Sequence, residues 1–174
     1  FNKCPEESIF LSPEMKSTGE VMGISKTMGE SFLRASISAG NNLPKNGKVF
    51  ISVNDGDKKA IIPIAKKLDR FGFSIVATSG TSSLLNVNGV STDKIYKVGE
   101  GRPNVVDGIK NGEINLVINT PLGAQSRYDE EAIGKACIKK GILAITTLSG
   151  ANAALDAVSH KDDFSVRSIQ DYHL

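Results

Sequence analysis

From position 48 onward the chain predicts an α/β fold: three layers, α/β/α, around a five-stranded parallel sheet, preceded by a helical arm. Three observations carry that prediction. Short β-branched or apolar runs recur at 48–53, 73–78, 95–98, 116–119 and 143–147. Segments with apolar residues three and four apart fall between and after them, at 58–70, 81–88, 104–111, 129–140 and 150–158. The runs also lack a regular polar face, which suits strands covered on both sides. Strict alternation of the two patterns implies parallel strands joined by helical crossovers.

Residues 1–47 read differently. The stretch 1–11 is irregular, 12–23 is punctuated by Gly and Ser, and Ser25 can cap a helix whose apolar positions include Met28, Phe32, Leu33 and Ile37. Gly40 stops that helix. Asn41, Asn42, Pro44, Asn46 and Gly47 then have the composition of a linker, and a domain boundary is expected there. In the regular part, Ile61, Ile64, Ala65 and Leu68 form the apolar stripe of the first helix. Pro63 in the same segment lacks a backbone donor and is expected in the first turn or at a kink.

Composition sets bounds. A chain of 174 residues, 40% hydrophobic and 23% charged, can bury a core, and a net charge of +2 with interspersed signs offers no stripe for nucleic acid. No apolar run has the length to cross a membrane. Cys4 and Cys137 lie far apart, without CxxC spacing, and no signal peptide is visible, so reduced thiols in a cytoplasmic protein are expected. Cys137 sits in an Ala/Ile/Lys helical pattern, where a small buried hydrophobe is the ordinary role. The start at Phe1 suggests a fragment of something longer.

In parallel α/β sheets ligands sit outside the carboxyl ends of the strands. Those ends are followed by Asn54, Asp55 and Lys58, by Thr78, Ser79, Gly80 and Thr81, by Asn119 and Thr120, and by Thr147 and Ser149, with Lys97 near the end of the third run. The TSGT turn has the form of a strand closing into a helix N-terminus, where free N–H groups, the helix dipole and threonine hydroxyls favour a phosphate. Each residue also has a plain explanation: Ser and Thr cap ordinary helices, lone lysines are solvated surface charges, and Asn119 is a turn residue. Together they predict one crevice with a phosphate site.

The segments GKVFISVNDGDKK, FSIVATSGTSSLL, KVGEGRPNVVDGIKNGEINLVINTPLG and AITTLSGANAAL resemble the methylglyoxal-synthase-like domain, specifically the C-terminal allosteric domain of the carbamoyl phosphate synthetase large subunit. EGRPN makes that resemblance specific. LSPEMKSTGEVMGISKTMGESFLRA is similar to the end of the second ATP-grasp synthetic half of the same subunit. The resemblance implies a truncation in which 1–47 is the tail of a synthetic domain with a linker and 48–174 is the allosteric domain. It implies a non-catalytic regulator within an ATP-dependent, glutamine-hydrolysing ligase of pyrimidine and arginine biosynthesis. A nucleoside monophosphate such as UMP or IMP would be the effector. Partners would be the rest of the large subunit and the glutaminase small subunit, in an oligomer. The fragment would need no cofactor, and the full enzyme would use ATP with Mg or Mn.

By motif match, the resemblance places the nucleotide phosphate on Lys58, Thr78, Gly80 and Thr81, with Lys97, Asn119, Thr120 and Asp129 completing the pocket, Asp129 toward a ribose hydroxyl. Leu11 and Thr146 match the family's ornithine site, whose preceding Tyr-Asp is Ala144-Ile145 here. Pro121 and Leu122 replace a Thr-Ser pair of the enteric pattern, and Ala124 and Gln125 replace an Arg pair. Two other classes stand beside this reading. Methylglyoxal synthase shares the fold and features similar to Asp55, Lys58 and the TSGT turn, but its catalytic Asp falls at Thr120 and its catalytic His near Arg127. Threonine offers no carboxylate to abstract a proton. The histidines, His160 and His173, lie outside the strand-end loops. The third class, an assembly module, would need no phosphate site.

Overall fold

The computed structural model describes residues 21–121, 127–160, 168 and 170–172. Five parallel strands, β1 (Gly47–Val53), β2 (Phe73–Ala77), β3 (Thr92–Lys94), β4 (Leu116–Thr120) and β5 (Leu143–Ile145), form one sheet in the order β3-β2-β1-β4-β5. The helices are α1 (Met28–Ser38), α2 (Lys58–Arg70), α3 (Ser79–Val87), α4 (Val105–Lys110), α5 (Arg127–Lys140) and α6 (Leu148–Ser159). The parallel sheet of the sequence reading is therefore present, with helices covering both faces.

Side-chain alternation along the strands divides the interior into two cores. Val49 and Ile51 of β1, Phe73 and Ile75 of β2, and Leu116 and Ile118 of β4 point one way, into a core that takes Ile61, Ile64 and Leu68 from α2, Leu85 from α3, and Ala151 and Leu155 from α6. Phe50, Val76 and Val117 point the other way and meet Val105 and Ile109 of α4 and Ile133 and Cys137 of α5. Register fixes the match: Val49 opposes Leu116, Phe50 opposes Val117, and Ile51 opposes Ile118. Helix α1 packs on α6, and its Leu33 joins the first core, as does Leu43 of the connection to β1.

Several boundaries differ from the sequence reading. The third strand is Thr92–Lys94, not 95–98, and pairs with β2 from Ile75↔Thr92 to Ala77↔Lys94. It is an edge strand, with Asp93 and Lys94 exposed, so it carries no apolar signature; Ile95 and Val98 instead pack against the second core. Thr27, not Ser25, caps α1, its Oγ1 accepting from the Glu30 N–H at 3.2 Å. Helix α3 starts two residues earlier than expected, at Ser79. Pro63 lies inside α2 beyond the first turn, on the exposed side, where its missing donor interrupts no packing.

Candidate functional site

The strand order reverses between β1 and β4, because β2 and β3 lie to one side of β1 while β4 and β5 lie to the other. At such a switch point the loops leaving adjacent strands diverge and open a crevice. A cavity of about 440 Å³ occupies it, within the range that holds small-molecule ligands. Ser52 and Asn119, opposed in the β1–β4 register, form its floor where the face that carries Phe50 and Val117 turns polar.

The loops above that floor are tied together by Asn54. Its side-chain amide donates to the Thr120 carbonyl at 3.1 Å, the Thr120 hydroxyl at 3.3 Å and the Asp57 carboxylate at 2.7 Å, while its Oδ1 accepts from the Asp57 N–H at 3.2 Å. The Asn54 backbone N–H adds a bond to the Thr120 carbonyl at 3.1 Å. One residue thus spans the switch point and holds the ends of β1 and β4 in register.

Thr78, Lys97, Asn119, Thr120 and Asp129 all line the cavity, so the crevice collects five of the residues that sequence placed there. Lys58, Gly80 and Thr81 are not among its lining residues. Lys58, the first residue of α2, lies beside it: its Nζ is 2.6 Å from Oδ1 of Asp55, which does line the cavity, and 3.6 Å from where a Cβ on Gly80 would stand. Thr81 is buried, and its hydroxyl accepts from that of Thr78 at 3.5 Å. Thr146 follows β5 and is not among the lining residues either, while Leu11 lies outside the described residues. Of the departures from the enteric pattern, Pro121 lines the cavity, and Leu122, Ala124 and Gln125 lie outside the described residues.

The N-terminus of α3 lacks a side-chain cap, as does that of α2, whose preceding Asp57 caps nothing. Thr27, Asn104 and Thr147 each accept hydrogen bonds from the first turns of α1, α4 and α6, whereas the Thr78 side chain caps nothing in α3. Its first-turn N–H groups keep their capacity for an outside acceptor, with Lys58 alongside. The EGRPN segment has another role: Asn104 accepts from the N–H groups of Val106 and Asp107, and the Asp107 carboxylate accepts from the Asn104 N–H, a reciprocal box that starts α4 and seats Val105 against the cavity.

The electrostatics are mixed. The Lys58 ammonium, hydrogen-bonded to Asp55, holds that carboxyl below its ordinary value. Burial raises the Asp129 carboxyl above its ordinary value, with Lys97 opposing and Glu100 adding to the rise. Two lining residues escaped the sequence reading in function, Asn54 as the strut and Glu130, a buried carboxylate on α5. Glu130 had no motif to announce it, because its burial depends on where α5 lands on the sheet. His160 caps α6 with its Nε2 3.4 Å from the Thr27 hydroxyl, and is not a lining residue of the crevice.

Cys137 is buried in the second core, and burial pushes its thiol up to about 12, so it behaves there as a small hydrophobe. No helix among the described residues is long and apolar enough to cross a membrane, and those residues hold no cluster of three or more His, Cys, Asp or Glu side chains placed for a metal.

Comparison with known proteins agrees with this architecture. The chain is 47% identical over 175 residues to a carbamoyl phosphate synthase large chain from Acidobacterium capsulatum, covering 99% of this chain and 16% of that protein. It is 48% identical over 158 residues to the C-terminal section of the large chain from Aquifex aeolicus, covering 91% of this chain and 29% of that protein. The chain therefore spans about a sixth of the first relative and under a third of the second. A solved structure titled "Crystal structure of ForH" shares the fold, with a TM-score of 0.52 and 19% identity over 68% of this chain and 83% of that one. The family model described as "MGS-like domain" matches residues 60–146, from α2 to just past β5, and the chain belongs to that family.

Proposed function

We propose that this chain is the effector-binding C-terminal section of a carbamoyl phosphate synthetase large subunit, taking a nucleoside monophosphate in the switch-point crevice to modulate synthesis elsewhere in the enzyme. The observation that carries the reading is the joint position of the uncapped α3 N-terminus, Lys58 over Gly80, and a 440 Å³ cavity reached through Thr78 and Asp55. A phosphate dianion needs several donors at once to offset its desolvation, and a helix N-terminus with an ammonium beside it supplies them. The remainder of the ligand then lies across Asn119 and Thr120 toward Lys97 and Asp129.

The rest of the proposal rests on the resemblance of the sequence motifs, and the relatives' names support only its large-chain part. Residues 1–47 are the end of a synthetic domain with its linker, and 48–174 are the regulatory domain. The partners are the remainder of the large subunit and the glutaminase subunit of a cytoplasmic, oligomeric enzyme supplying pyrimidine and arginine synthesis. Leu11 and Thr146 are remnants of an ornithine site.

The fragment itself performs neither triose-phosphate elimination nor ATP-dependent synthesis, since Thr120 stands where the lyase reading needs a carboxylate base. Calorimetry of the chain with UMP, IMP and AMP tests the proposal. Saturable binding of at least one is expected. Absence of binding by all three, or methylglyoxal release from dihydroxyacetone phosphate at about one turnover per second or faster, would overturn it.

A further inference from the structure

Among the described residues Glu130 alone has a buried side-chain polar atom without a hydrogen-bond partner. Its side chain is 4% exposed, it lines the cavity, and its Oε1 is buried with no hydrogen-bond partner among the described residues. A carboxylate taken out of water without a donor is costly, and native interiors rarely tolerate one unless the group has a use. The other carboxylates at the crevice have company: Asp55 holds Lys58, and Asp129 feels Lys97.

Topology places Glu130 away from the phosphate end. Thr78 and α3 follow β2, on one side of β1, whereas α5 follows β4, on the other side of the switch point. The cavity lining also includes the apolar Phe50, Val105 and Ile133, which belong to the second core. Apolar lining beside a buried acceptor that has no donor suits a flat, partly apolar group that presents a donor at its edge, and does not suit a second anion.

We propose that the buried Glu130 carboxylate accepts a hydrogen bond from an N–H on the nucleobase of the effector, making Glu130 the residue that sets base preference in this crevice. This rests on the assignment of the crevice as a nucleoside monophosphate site. Oε1 has no donor among the described residues, and a ligand that supplies one is favoured over a ligand that presents only acceptors there, because the latter leaves that oxygen buried and unpaired.

The test compares the chain with its Glu130→Gln variant, which keeps the size and removes the charge. Calorimetry uses UMP, IMP, GMP and AMP, with ribose 5-phosphate as a ligand that has the phosphate and sugar but no base. Thermal melting of both proteins without ligand is the second readout. The tightest nucleotide is expected to lose about 10-fold or more in affinity on substitution. Ribose 5-phosphate should bind the variant as well as before or better, and the melting temperature of the ligand-free variant should hold or rise, since the substitution replaces a carboxyl group whose Oε1 has no partner among the described residues.

An equal loss for ribose 5-phosphate and the nucleotides, or no loss for any nucleotide, would overturn the proposal while leaving the site itself in place. A lower melting temperature with unchanged base preference would make Glu130 a structural residue and overturn it too. If none of the phosphomonoesters binds the unmodified chain, the site assignment fails and this inference with it.

Discussion

The two faces of the sheet use the same strands to opposite ends. On the face that carries Val49, Ile51, Leu116 and Ile118, apolar side chains continue along the strands to Val53 and Ile145, and α2, α3 and α6 close over them into a dry core. On the other face the apolar run ends sooner: after Phe50 comes Ser52, and after Val117 comes Asn119, so the core of α4 and α5 gives way to the crevice. The difference teaches where a binding site comes from in this fold. One face buries its apolar side chains for stability, and the other withholds one such residue from each of two strands at the switch point, Ser52 and Asn119, whose polar groups line the crevice.

The comparison can be broken most sharply by removing volume. Ile61, fully buried in the dry core, should cost about 2–5 kcal/mol when replaced by Ala. Ile133→Ala should cost less, since Ile133 borders a cavity already present. Urea unfolding of the two variants is the check, and equal losses would show that the second face is as tightly packed as the first.

Function should invert that ranking. Lys58→Ala should weaken nucleotide binding roughly 10- to 150-fold, the equivalent of about 1.5–3 kcal/mol for one charge-assisted bond. Stability should move by no more than about 0.5 kcal/mol, as for an exposed ion pair with Asp55. Calorimetry beside thermal melting reads both, and an unchanged affinity would remove Lys58 from the site.

A smaller effect, about 1–2 kcal/mol, is expected for Asn54→Ala, which deletes the strut between the ends of β1 and β4. Hydrogen exchange should then quicken at the Thr120 end of β4 and not at Leu116. Uniform protection along β4 would mean that the strand ladder alone fixes the switch point.

The smallest expected effect concerns pH. The Asp129 carboxyl lies above its ordinary value in the folded chain, so the folded state holds that proton more firmly than the unfolded one. Stability from this group is therefore present at acidic pH and is lost as pH rises through the window between the ordinary carboxylate value and the raised one. Asp129→Asn should flatten that decline and leave the ligand-free protein slightly more stable at neutral pH. Melting curves across about pH 4 to 7 would show it. Parallel profiles for the two proteins would mean that Lys97 fully offsets the burial.

What the sequence determined by itself was the alternation of short apolar runs with 3.6-period segments, and hence the parallel sheet, its two covered faces and the strand ends at which ligands gather. Thr78, Lys97, Asn119 and Thr120 were legible for that reason, since each sits in or near a loop that the alternation marks, whereas Asp129 came only from the family resemblance. The edge strand Thr92–Lys94 was not legible, because pairing on one side only lets exposed polar residues form a strand while the apolar Ile95 beyond it packs into a core. Glu130 and Asn54 required the tertiary structure. Their roles depend on the distance between segments far apart in the chain, α5 against the floor of β1 in one case and the end of β1 against the end of β4 in the other. Periodicity reports which face of an element is buried, and only packing decides which polar group ends up buried with it.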